Sequence, residues 1–202
     1  MQQHFDAPQK KSRIVQIDLI KVFLALLIVW RHKGPEDLAI SDVCICAFFA
    51  FSGYYSYYGD NMGGGHKTLV KILKTFILCA ISLVFSFAAD SIRNANDFTN
   101  FWKGKIELFT NPNALINLFC FNVPIIAFIH IWFVYALLYV HIFNWIFYKL
   151  KLQQFYKYAG FIITLLGLVL QPVPAVMNSG YKIVRSWLFC GLGFFMMGYT
   201  IR

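Results

Sequence analysis

Apolar runs of membrane length recur along the chain, each bounded by a short polar stretch. The first, Ile14 to Arg31, reads IVQIDLIKVFLALLIVWR, and His32 follows it directly. A spanning helix needs roughly 20 mostly apolar residues, so this run is long enough. The second covers Leu38 to Tyr58, the third about Leu69 to Ala89 after the basic entry KTLVKILK, and the fourth Ile125 to Tyr148. Tyr158 to Leu170 is a short fifth, with Pro172 and Pro174 just beyond it, and Ile183 to Ile201 a glycine-rich sixth. The pattern predicts an all-α polytopic transmembrane helix bundle of about six spans. The polar segment 1–13 precedes it, and the membrane domain is 14–202. GDNMGGGHK (Gly59 to Lys67) reads as a flexible loop, and small residues in the sixth run as a site of close helix approach. Asp90 to Asn117, polar with scattered aromatics and interrupted by Pro112, reads as an interfacial segment rather than a span.

Two charges break the first run. Asp18 and Lys21 lie near its start, where each charge costs about 2.5–3.5 kcal/mol if carried to mid-membrane, so such groups are paired or functional. The 11-residue step from Lys21 to His32 comes within about 20° of whole helical turns, putting both on one face about 16 Å apart. Lys21 and Asp18 are one turn apart and suited to pairing.

Composition sharpens the picture. The chain has 202 residues, 59% apolar, 19% aromatic and 13% charged, with mean hydropathy +0.60. Soluble domains average about 25% charged residues, so this chain lacks the polar surface to cover a soluble core. Its formal charge is +9. The Lys and Arg residues sit in short stretches at run ends, not in one basic stripe. That pattern speaks for membrane topology and anionic headgroups rather than nucleic acid. Lys10, Lys11 and Arg13 predict a cytoplasmic N-terminus, and alternation then places Lys67, Lys71, Lys74, Lys149, Lys151 and Lys157 on the same side. No cleavable leader is apparent, so the first span reads as a retained signal-anchor. The five cysteines (Cys44, Cys46, Cys79, Cys120 and Cys190) are odd in number and lack metal spacing, and read as small buried hydrophobes.

Several strings then share one resemblance. Lys21 and His32 are separated by ten residues and preceded by Ile17-Asp18-Leu19-Ile20; the second run carries Phe48-Phe49-Ala50-Phe51-Ser52-Gly53-Tyr54. The third opens with Lys71-Ile72-Leu73-Lys74, the fourth contains His130-Ile131-Trp132-Phe133, and the sixth closes on GLGFFMMGY. In this order, on successive runs, they resemble the acyltransferase-3 family of integral membrane acyltransferases. The resemblance covers about six of that family's about ten spans, implying a chain truncated at its C-terminus. It implies O-acyl transfer, most simply of acetyl, from acyl-CoA to a hydroxyl of a cell-surface glycan or lipid-linked sugar at a bacterial cytoplasmic membrane. His32 would be the catalytic base, and Lys71 and Lys74 would bind the acyl-CoA. Asp18, Lys21, Ser52, His130 and Trp132 would line or orient the cavity. Acetyl-CoA is then a co-substrate; no permanently bound cofactor and no metal are implied. Lysine stands here where the family has arginine, at 21, 71 and 74, keeping the charge and losing the planar fork.

Each residue also has a plainer reading. His32 can be an interfacial histidine within Arg31-His32-Lys33, and Lys71 and Lys74 can be cytoplasmic anchors. Ser52 lacks a nucleophile elbow and suits packing or an interhelical hydrogen bond. His130 and Trp132 can be interfacial anchors, the role of His141 is open, and Tyr54, Tyr55, Tyr57 and Tyr58 form an aromatic belt. Rival functions are a transporter-like bundle with an Asp18–Lys21–His32 path and an inactive membrane fragment.

Overall fold

The computed structural model describes residues 19–20, 22–24, 26–27, 40–57, 64–123, 132–173 and 183–201. Two compact units divide the chain, Met1–Cys44 and Ile45–Arg202. In the first, Leu19, Ile20, Val22, Phe23 and Leu26 are helical and exposed. Every regular element among the described residues is helical. Asp18, Lys21, His32 and His130 lie outside the described residues, and with them the Lys21–His32 stripe.

Helix α1 (Ile40–Tyr54) ends in a turn. Ser56 N donates to the Gly53 carbonyl, and Ser56 Oγ reaches back to Ser52 O at 2.7 Å, occupying carbonyls that a helix end otherwise leaves open. Helix α2 (Gly64–Arg93) has 30 residues and extends at both ends past the apolar run seen in the sequence. It begins inside the stretch predicted as a flexible loop. The Tyr148 ring packs against its first turn, where a Cβ on Gly64 would meet the ring at 2.8 Å and one on Gly65 at 3.2 Å. The two glycines therefore let a helix start where their propensity argues for a loop.

The distribution of side chains on α2 is inverted relative to a soluble helix. Its buried positions are Gly64, Thr68, Thr75, Cys79 and Ser86, all small or polar. Its exposed ones include Leu73, Phe76, Ile77, Ile81, Val84 and Phe85. Thr68 and Thr75 satisfy their hydroxyls on the helix's own carbonyls, Gly64 O and Lys71 O, at 2.9 Å each. Among the described residues α2 is the one continuous helix long and apolar enough to cross a membrane.

The region expected to be an interfacial segment rather than a span is helical. A 3₁₀ turn (Ala95–Asp97) leads into α3 (Phe98–Thr110), and α4 follows (Pro112–Phe121). Pro112 starts α4 rather than merely interrupting the chain: it occupies the first turn, and the Asn111 side chain accepts from Asn113 N at 2.9 Å as the cap. Trp102 stacks on Phe87 at 4.1 Å, tying α3 to α2. α4 ends at Asn122, in the left-handed region (φ 49°) and buried. Its amide holds three elements together. Nδ2 donates to Trp132 O at 3.3 Å, Oδ1 accepts from Trp187 N at 2.7 Å, and the Asn122 N–H closes the α4 end on Asn117 O.

Helix α5 (Trp132–Lys149), a 3₁₀ turn (Gln153–Phe155) and α6 (Tyr156–Leu170) follow, α6 leaving α5 at 117°. By length and composition the bent pair qualifies as a second crossing only when taken together. A six-residue π-helical segment (Trp187–Leu192) then runs into α7 (Gly193–Thr200). α7 packs on α6, α2 on α5, and the π segment on α5, giving a core around Val140, Tyr156, Leu192, Phe195 and Met196. The cysteine expectation is corrected in part: Cys44, Cys79 and Cys190 are buried, while Cys120 at the edge of α4 is exposed. Cys46 is half-buried, its Sγ 3.6 Å from Cys190 Sγ.

Candidate functional site

Small residues set the geometry at the C-terminal end of α1. A Cβ on Gly53 would fall on the Phe195 carbonyl, and one on Gly198 would fall on the Ala50 carbonyl. α1 and α7 therefore cross backbone to backbone, each through the other's glycine. Phe49, 1% exposed, fills the space beneath, against Gly191. Tyr57 and Tyr156 close on Tyr199 from two sides, with ring centroids at 5.2 and 4.9 Å. Within the FFAFSGY string, Phe49 and Gly53 are thus packing residues.

Lys71 approaches the same end from α2. Its Nζ donates to Tyr55 O and to Ser56 Oγ, both at 2.8 Å, and Ser56 Oγ donates on to Ser52 O. An ammonium at the C-terminal end of a helix is favoured by the dipole and by the carbonyls left open there. Helix end, hydroxyl and ammonium form one hydrogen-bonded chain that ties α1 to α2.

Behind that chain lies His141. It is 4% exposed, packs edge-on against Phe195 at 5.9 Å, and stands within electrostatic reach of the Lys71 ammonium. Among the described residues its Nδ1 has no hydrogen-bond partner, and neither has Trp145 Nε1 one turn further along α5. Asn144 is also buried there, accepting from Tyr156 OH at 2.8 Å. The result is a polar interior: a fixed cation, an imidazole, an amide–phenol pair and a hydroxyl relay. A neutral imidazole offers one N–H donor and one acceptor nitrogen to a polar partner. No group of three His, Cys, Asp or Glu side chains among the described residues is arranged to hold a metal ion.

The sequence-derived candidates are distributed unevenly over this arrangement. Lys71 is at its centre, and Ser52 takes part through its carbonyl. Lys74, one turn along α2, is exposed. Trp132 belongs to the opposite end of α5, where its carbonyl meets Asn122, about 14 Å along the axis from His141. His141 and Asn144 are the residues that sequence reasoning left without a role. Their signal was a polar pair at i, i+3 spacing inside an otherwise apolar run, the mark of a face turned to protein rather than lipid. Comparison of the chain with protein-family models, with curated proteins and with solved structures gives no match.

Proposed function

We propose that the protein is an integral membrane O-acyltransferase built as a bundle of about six spans, resembling the acyltransferase-3 family. It would move an acyl group, most simply acetyl, from cytoplasmic acyl-CoA to a hydroxyl of a cell-surface glycan or its lipid-linked precursor. The observation that carries this reading is the convergence of separate family-like strings. Gly53 of FFAFSGY, Lys71 of the K-x-x-K pair and Gly198 of GLGFFMMGY come from three distant segments and meet at one end of α1. The inverted surface of α2, bulky and apolar outside and small or polar inside, supports a lipid surround.

In the proposed reaction His32 takes the proton of the acceptor hydroxyl as its oxygen attacks the thioester carbonyl. The C–O bond forms, the C–S bond breaks, and the proton passes to the departing CoA sulfur. A general base of this kind contributes roughly 10²–10⁴-fold. Lys71 is engaged by the end of α1, so its first effect is to fix the floor of the site. Lys74, exposed one turn away, is the better donor-binding charge of the pair.

The test is transfer from labelled acetyl-CoA in membranes, with protein amounts matched. His32→Ala should lower turnover to near background at unchanged membrane abundance. Lys74→Ala should raise the apparent KM for acetyl-CoA with kcat preserved, the mark of a ground-state contact. Full activity in His32→Ala would remove the catalytic assignment and favour the transporter-like reading.

A further inference from the structure

All acidic side chains of the chain occur at or before Glu107. The part beyond carries Lys149, Lys151, Lys157, Lys182, Arg185 and Arg202 and no acidic side chain of its own. Three of these lysines gather at the connection between α5 and α6. Lys149 leans over the Trp145 ring at 5.8 Å, Lys151 occupies the turn with φ 57°, and Lys157 stands exposed in the first turn of α6.

Beside Lys157 a groove of about 350 Å³ runs between α6 and α7, within the size range of small-ligand sites. Phe161, Ile162 and Met197 line it, and Lys157 and Thr200 mark the end where α6 starts and α7 stops. The exposed residues Leu165, Leu166, Leu168 and Val169 continue the apolar surface along α6. From Lys157 the helix runs about 20 Å further, more than the roughly 15 Å depth of one leaflet's hydrocarbon. A cation at one end of an apolar track of that length fits a ligand with an acidic head and a long tail. The N-terminal end of α6, whose preceding residue makes no side-chain cap, adds partial positive charge at the head position.

We infer that the α6–α7 groove binds an anionic phospholipid of the surrounding bilayer, its phosphate at Lys157 and an acyl chain along Phe161, Ile162 and Met197. This rests on the membrane reading above and is independent of the acyl-transfer chemistry.

The full chain, reconstituted in nanodiscs of phosphatidylcholine with a minority of phosphatidylglycerol and then released into mild detergent, is examined for retained lipid by native mass spectrometry. The wild type should keep phosphatidylglycerol in preference to phosphatidylcholine. Lys157→Gln should weaken that retention about fivefold, the factor given by roughly 1 kcal/mol per lysine at a charged surface. Ile162→Trp, which fills the groove and leaves Lys157 in place, should lose the lipid too. Lys103→Gln on α3 should behave as wild type. Equal retention of the two lipids, equal retention by wild type and Lys157→Gln, or a second copy of the chain in place of lipid would overturn the site. Failure of the chain to enter nanodiscs would overturn the membrane reading, and the site with it.

Discussion

Helix α2 and the pair formed by the π segment and α7 are both apolar, yet they meet opposite surroundings. α2 turns Leu73, Phe76, Ile81 and Phe85 outward and buries glycine, threonine, cysteine and serine. The π segment and α7 bury Leu192, Phe195 and Met196, and their glycines Gly191 and Gly198 admit neighbouring side chains or backbone. Apolarity by itself therefore does not say which side of a helix meets protein: α2 buries its small residues alone, while the π segment and α7 bury bulky and small residues together. Where the surroundings are as apolar as the side chains, helices associate where small residues permit close approach, as Gly53 and Gly198 do at the α1–α7 crossing.

Gly198→Val should break this contrast most severely. The added side chain would occupy the position of the Ala50 carbonyl, and α1 and α7 would have to separate. A loss of about 3 kcal/mol or more is expected, at the upper end of overpacking effects, read from thermal unfolding in detergent. A stable Gly198→Val protein would mean that the α1–α7 crossing is not tight. Next comes Ile81→Asp on the outer face of α2. In lipid it should cost about 2.5–3.5 kcal/mol and reduce the membrane-inserted fraction, measured by glycosylation mapping or carbonate extraction. An unchanged inserted fraction would show that this face does not meet hydrocarbon.

Tyr156→Phe sharpens the comparison from the buried side. It removes the phenol that donates to Asn144 and leaves the ring packing intact, for about 1 kcal/mol of stability. A double-mutant cycle with Asn144→Leu should recover most of that as coupling; additive losses would mean the pair contributes nothing as a pair. The smallest effect belongs to Phe85→Leu, exposed and apolar before and after, which should stay within about 0.5 kcal/mol in the same unfolding assay.

The helices most legible in the sequence were those whose apolar runs were uninterrupted. Tyr158 to Leu170 matches α6 within two residues, and Leu38 to Tyr58 contains α1. Misreadings fall where one residue type has two uses. Pro112 reads as an interruption of its segment, yet proline at the first helical position starts a helix. Gly63-Gly64-Gly65 reads as loop, yet Gly64 and Gly65 make room for Tyr148, a residue more than eighty positions away. Lys71 is singled out by the family resemblance of its K-x-x-K string, while its partners Tyr55 and Ser56 lie in the turn that ends α1. His141 was visible as a polar residue in an apolar run, but its enclosure by Phe195 and Lys71 depends on two further segments.

By itself the sequence determined that the chain is helical and short of polar surface, and that its last part has cations without carboxylates. Hydropathy, helical period and charge count are properties of single segments, so they can be read one segment at a time. Only the tertiary structure decided that Gly53 and Gly198 are crossing points, that Lys71 holds the end of α1, and that His141 rather than Trp132 lies beside it. Those are relations between segments. Among side chains that are nearly all apolar, steric fit and the few buried hydrogen bonds select which segments meet, and neither is encoded in any one of them.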